Sequence, residues 1–264
     1  MTNVVVVRAA VDHTSYIANS RASLEALKSA NLLKSLNINA IIIGECGTGK
    51  ETLAKFILPK AQVVDGRSLS EVLSFISTND LIIIKNFDKI SNYQKLQNAI
   101  DEYKTRVIAT SRTELLDRIS SDFFSLKITI PPLTQREEDI EPLVNKFFKE
   151  VSTIFGNDSS DVSLKDLNLD LSRNCHSLRK SVYAKYLISS FCEEDVMQVM
   201  EEFLSKKLGG RNDYRNQLYL FDVPMLRSGF KKFNSQLNMS EKFGLNRNTL
   251  RKKINDYKDK YKLQ

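Results

Sequence analysis

The run Gly44-Glu45-Cys46-Gly47-Thr48-Gly49-Lys50 has the composition and spacing of a phosphate-binding loop. Its glycines permit a tight turn whose backbone N–H groups face phosphate oxygens, and Lys50 can reach the β- and γ-phosphates of a nucleotide. Glu51 stands where most such loops carry the Ser or Thr that holds magnesium. Cys46 reads as a small residue at a tight turn rather than a reactive thiol. Thirty-eight positions separate Lys50 from Asp88, which follows the apolar run Leu81-Ile82-Ile83-Ile84. An acid there can hold magnesium through water, or can serve as a helix cap or turn residue. The next position, where an ATPase wants a carboxylate to orient the attacking water, is Lys89. A lysine cannot act as that base at neutral pH without a large pKa depression.

A second chemistry lies at the other end of the chain. Residues 231–264 hold ten Lys/Arg against three acids, which accounts for the whole formal net charge of +7. A neutral body with a basic tail predicts a polyanionic partner, because neutralising phosphates releases counterions. Leu237, Phe243, Leu245, Leu250 and Ile254 have the spacing of a small helix-turn-helix core, and Gly244 suits the left-handed turn between its helices. Asn246, Arg247, Asn248, Thr249, Arg251, Lys252 and Lys253 open the second helix. There they would meet base edges and phosphates of double-stranded DNA in the major groove. The plain alternative is a solvated basic helix. A membrane-surface role is disfavoured, since no Trp and little apolar face accompany the lysines.

The elements that must position these groups are legible in the hydrophobic pattern. Residues 21–37 approximate one apolar helix face, and Ala40–Ile43 reads as a buried strand, β-branched and uncharged. The pattern after Lys50 is helical and stops near Pro59. Strands are expected at 61–65, 81–84, 106–110 and 125–130, with helices at 68–76 and 93–103 between them. This alternation implies a parallel sheet with crossover helices. From Arg136 the chain becomes all-helical, with helices expected at 138–155, 164–174, 176–192 and 193–207. Gly209-Gly210-Arg211-Asn212 is the best linker candidate, and 214–233 and 235–257 complete a small helical module.

With these residues in hand, the chain resembles the NtrC-type sigma-54 activators, a branch of the AAA+ ATPases with a C-terminal Fis-type helix-turn-helix. The loop running into Glu51 looks like that family's form. Pro131-Pro132-Leu133-Thr134-Gln135-Arg136-Glu137-Glu138-Asp139-Ile140 resembles the stretch that leads into its helical lid. Ser177-Leu178-Arg179 is similar to the sensor II segment, which makes Arg179 a candidate γ-phosphate contact. Val107–Arg112 looks like the sensor I strand, with Ser111 in place of Asn. The tail from Asn234 to Ile254 is the closest match.

The resemblance implies an α/β P-loop AAA+ domain over residues 1–135, an α-helical lid over 136–208 and an all-α Fis-type helix-turn-helix over 209–264. It implies ATP or ADP with Mg at Gly44–Glu51, Asp88 and Arg179, and a homodimer through the C-terminal module. In the Fis family the first helix pairs two subunits, and Leu218, Leu220, Val223, Leu226 and Phe230 would supply its apolar face.

The departures are as informative. No sequence like the family's sigma-54 contact loop lies between Lys50 and Asp88, and Arg118 is the only arginine in residues 114–125, where the family has a pair of fingers. Only about fifteen residues precede the AAA+-like region, too few for a receiver domain. The expected function is a sequence-specific transcription regulator whose AAA+ module binds ATP but is impaired in hydrolysis. Two other readings stand beside it: an active sigma-54-dependent activator, and a DnaA-like replication or chromosome factor.

Composition bounds the rest. Cys46, Cys175 and Cys192 lie far apart with no metal-ligand spacing, and His13 and His176 are isolated. The longest apolar runs are strand-sized and no N-terminal signal pattern is present, so the expected location is cytoplasmic, at the nucleoid.

Overall fold

The computed structural model describes residues 16–155 and 169–263. Its contacts divide the chain into two compact units, one ending at Phe191 and one beginning at Cys192. The first unit runs α1 (Arg21–Ser35), β1 (Ala40–Ile43), α2 (Lys50–Ile57), β2 (Gln62–Asp65), α3 (Leu69–Ile76) and β3 (Leu81–Lys85). It continues with α4 (Tyr93–Tyr103), β4 (Arg106–Ser111), α5 (Asp117–Phe123) and β5 (Leu126–Thr129). The five strands form one sheet in the order β2-β3-β4-β1-β5, and every neighbouring pair is parallel.

The isoleucine-rich strands explain why the sheet is covered on both faces. Successive side chains alternate, so Ile41, Ile43, Ile82, Ile84, Val107 and Ala109 pack with Val72, Ile76, Leu96 and Ile100 of α3 and α4. Ala40, Ile42, Ile83, Ile108 and Ile128 pack instead with Ala26, Ala30, Leu33, Leu53 and Ile57 of α1 and α2. Fully burying each isoleucine contributes about 1.5–3 kcal/mol. A strand apolar on both faces cannot be an exposed edge, and β1, which carries the phosphate loop, lies between β4 and β5. The loop is therefore held at the carboxyl end of a strand paired on both sides, the usual ligand position of a parallel sheet.

Two helices complete this unit. Along α6 (Ile140–Phe155) and α7 (Cys175–Ser190), Val144 and Phe147 meet Leu178 and Val182, with Leu133 beneath them. Of the helix expected over 164–174, residues 164–168 lie outside the described residues, while 169–174 are irregular and end in a turn. The helix starts at Cys175 because Asn174, with φ 53° and ψ −133°, is far from helical geometry.

The second unit contains α8 (Glu193–Ser205), α9 (Asp213–Gln217), α10 (Tyr219–Lys232), α11 (Gln236–Phe243) and α12 (Arg247–Tyr261). The sequence places α8 in the lid and a boundary at Gly209–Asn212, whereas the division into compact units falls before α8, between Phe191 and Cys192. Val223, Leu226, Met239, Leu250, Ile254 and Leu263 form a core joining α10, α11 and α12. Among the described residues, no helix is long and apolar enough to cross a membrane.

Candidate functional site

The loop between β1 and α2 opens into a cavity of about 370 Å³. Gly47 sits at φ 82°, and a Cβ there would lie 2.5 Å from the Arg173 carbonyl oxygen, so both conformation and space require glycine. Lys50, the first residue of α2, folds over the loop and donates to the carbonyls of Gly44 and Glu45 at 2.6 and 2.5 Å. Burial lowers its pKa from the usual lysine value, so the ammonium favours an anionic neighbour. The Thr48 amide donates to Glu45 O at 3.4 Å, whereas the amides of Gly47 and Gly49 have no acceptor among the described residues. Unpaired N–H groups at the start of a helix, beside a lysine, suit phosphate oxygens.

The walls of the cavity come from distant parts of the chain. Tyr16 and Ile17 supply one apolar side, Leu143 and Phe147 of α6 another, and Arg112, Arg136 and Arg179 bring positive charge. Arg179, on α7, lines the cavity. Its Nη2 lies 3.0 Å from Glu150 Oε2 and its guanidinium 4.8 Å from the Phe147 ring centroid, while its buried Nε has no partner. Glu51 and Cys46 line the same cavity. His176, which looks isolated in the sequence, also lines it from the first turn of α7. The apolar sides suit a flat base and the cationic side a polyphosphate, so a nucleotide fits the residues present.

Asp88 lies just after β3, in a short 3-10 turn over Phe87–Lys89. Its carboxylate is nearly buried, 3.3 Å from Lys89 Nζ and 3.4 Å from both Ser111 Oγ and the Arg112 amide. The sequence leaves Lys89 as a missing base, and the structure adds that it pairs with the acid before it. No group of three or more His, Cys, Asp or Glu able to hold a metal occurs among the described residues.

Two residues central to the site are not evident from motif spacing. Arg136 is 2% exposed, pairs with Asp139 at 3.3 Å, and donates through Nη2 to Thr48 O at 3.1 Å. Asp139 in turn accepts from the amides of Asn19 and Ser20 and from the Ser20 and Ser23 hydroxyls. Burial alone would raise its pKa, but these hydrogen bonds outweigh it and hold the value below the usual range. The Pro-Pro-Leu stretch thus ties α1 to the phosphate loop through a fully buried ion pair. The second residue, Asn174, bonds to Glu45, Cys46 and Leu133 at once. Only the chain's return across 41 to 129 positions brings these partners together.

In the second unit, Gly244 ends α11 at φ 63°, ψ 27°, and the Leu245 amide returns to Ser240 O at 2.9 Å. This left-handed turn aims α12 away from α11. Leu250 and Ile254 face the core, while Arg247, Asn248, Thr249, Arg251 and Lys252 are exposed at the start of α12. Two of the tail residues have local duties. Asn246 is the α12 N-cap, its Oδ1 taken by the Asn248 amide at 2.9 Å. Lys253 pairs with Asp222 at 2.7 Å, and Tyr257 donates to the same carboxylate at 3.2 Å, fastening α12 to α10.

No protein-family model matches the chain. It is 24% identical to limonene hydroxylase of Geobacillus stearothermophilus over 88% of its own length, and spans 54% of that relative. It therefore spans about half the length of the curated relative it matches. Among solved structures it is similar to NtrX from Brucella abortus in complex with ADP, with a TM-score of 0.56 at 14% identity, covering 92% of this chain and 69% of that one. The complex of NtrX with ATP gives 0.51 at 14%, covering 92% and 70%. At this identity the likeness is one of fold. The shared fold is a parallel α/β sheet with flanking helices, with a glycine-rich loop after its first strand.

Proposed function

We propose that this chain is a sequence-specific DNA-binding transcription regulator whose AAA+ module binds ATP or ADP without turning ATP over efficiently. The observation that carries the reading is the exposed cluster Arg247, Asn248, Thr249, Arg251 and Lys252. It opens a helix behind a left-handed glycine turn, in the part of the chain that holds all of its net charge. Polar and cationic side chains there suit base edges and phosphates together. Asp256 and Asp259 are exposed further along α12, which favours entry of its N-terminal half into the groove. Of the two residues with local duties, Asn246 presents the first turn and Lys253 steadies the helix.

Nucleotide binding is supported by the cavity and by the complexes of the NtrX fold with ADP and ATP. The loop amides, Lys50 and Arg179 would hold the phosphates, with Tyr16, Ile17 and Phe147 against the base. Magnesium would supply charge neutralisation to the phosphates, and Asp88 would be the residue to hold it. Glu51 offers no hydroxyl to that ion, and the Lys89 ammonium occupies Asp88 and cannot deprotonate an attacking water. Binding without turnover makes the module a switch or an assembly platform rather than a motor. Chromatin immunoprecipitation with sequencing tests the whole reading: enrichment at a discrete set of promoters is expected. Enrichment confined to the replication origin would favour the chromosome-factor alternative, and open-complex formation with sigma-54 holoenzyme would favour the activator.

A further inference from the structure

Three consecutive carbonyls of the phosphate loop are fixed from outside it. Asn174 Nδ2 donates to Cys46 O at 3.0 Å, the Cys175 amide to Gly47 O at 3.1 Å, and Arg136 Nη2 to Thr48 O at 3.1 Å. A trans peptide is planar, with its C=O and the following N–H on opposite sides. Carbonyls held on one side therefore turn the amides of Gly47, Thr48 and Gly49 to the other. The Thr48 amide closes the loop on Glu45, which leaves the amides of Gly47 and Gly49 for a ligand.

Asn174 joins this arrangement to the rest of the unit. It is 2% exposed; Oδ1 accepts from the Leu133 amide, and Nδ2 is shared between Cys46 O and Glu45 Oε2, the latter at 3.1 Å. The next residue begins α7. The Asn174 backbone, at φ 53° and ψ −133°, is one that residues with a Cβ rarely adopt, and such strain persists only where the surroundings impose it. A side chain chosen for backbone ease alone would be absent here, as in glycine.

We propose that Asn174 is a positioning residue for phosphate binding: it locks the loop with the Gly47 and Gly49 amides toward the cavity and makes the loop's shape answer to α7. The proposal rests on the nucleotide-binding reading. Calorimetric titration with ADP, run beside thermal melts, separates the two. Wild type should bind ADP. Asn174→Gly, which suits the backbone but removes all three bonds, should bind about tenfold more weakly, the scale of one lost charge-free hydrogen bond. Asn174→Asp keeps the acceptor for Leu133 but faces Glu45 with a second carboxylate, and should bind more weakly still. Asn174→Asp combined with Glu45→Gln reverses donor and acceptor across that contact but leaves Cys46 O facing a carboxylate oxygen, so it should recover only the part of the loss due to Glu45 and still bind more weakly than wild type. Wild-type ADP affinity in a folded Asn174→Gly or Asn174→Asp protein would overturn the proposal, as would a double variant no better than Asn174→Asp. A wild-type protein that binds no ADP would instead remove the nucleotide reading itself, and the proposal with it.

Discussion

Single residues decide what the cavity can do. Asp139 is fully buried beside Arg136, so Asp139→Asn leaves a buried cation facing a neutral amide. Removing one partner of a buried pair costs roughly 3 kcal/mol or more, and chemical denaturation should show that loss. The pH dependence follows from the depressed carboxyl. Its folded pKa lies below the unfolded value of about 3.9, so its contribution is complete above that value and is lost as pH falls through the folded one. The variant should accordingly show a flatter acid limb in a series of melts against pH. Lys89 carries the second prediction. With Asp88 paired to it, ATP at a hundred times its Kd should stabilise the protein by about 2.7 kcal/mol while phosphate release stays at background. Turnover that Lys50→Ala abolishes would refute the hydrolysis-impaired site.

At the scale of elements, α12 is the proposed output. Arg251 and Lys252 are exposed on its first half and make no ion pair among the described residues. Replacing both with alanine should weaken DNA binding and reduce the slope of log affinity against log salt by about 2, read by fluorescence anisotropy at several salt concentrations. The turn before the helix is a separate test. A Cβ at Gly244 would meet nothing within 4 Å, so the cost of Gly244→Ala is conformational, about 1 kcal/mol from φ 63° alone. These elements were readable in advance because their signals are local: an apolar period, a glycine, a cap. Predicted and observed helices agree closely at 93–103, and strand β1 at 40–43. The helix expected up to Asn174 fails in its described part, because tertiary bonds to the phosphate loop outweigh the intrinsic preference of those residues.

For the molecule as a whole, the question is how two copies would pair. The sequence offers Leu218, Leu220, Val223, Leu226 and Phe230 for that role, but Val223 and Leu226 are consumed by the core of their own unit, Phe230 packs against it, and Leu218 and Leu220 are half-buried. Exposed apolar side chains of this unit lie on α8, where Val196, Met197, Val199 and Phe203 are exposed and no residue is buried, and also on α10 at Phe221 and Met225 and on α11 at Leu237. Of these, α8 carries the most exposed apolar residues on one helix, and we propose it as the contact of a homodimer through the C-terminal unit. Val199→Glu with Phe203→Glu should shift the protein toward monomer in sedimentation velocity and lower its affinity for two-half-site DNA more than for a single half-site. A dimer unaffected by the pair would place the contact elsewhere.

The sequence by itself determined the chemistry on offer: a phosphate loop, an acid followed by a lysine where a base would stand, and a basic helix behind a glycine turn. Each is written in neighbouring residues, whose spacing on a helix or loop is fixed by backbone geometry. Only the tertiary structure decided which groups meet. Arg136 reaches Thr48 across 88 positions and Asn174 reaches Glu45 across 129, and Val223 and Leu226 of α10 turn out to be core while α8 has no buried residue. Burial is a property of what packs against a residue, and no local pattern specifies the partner.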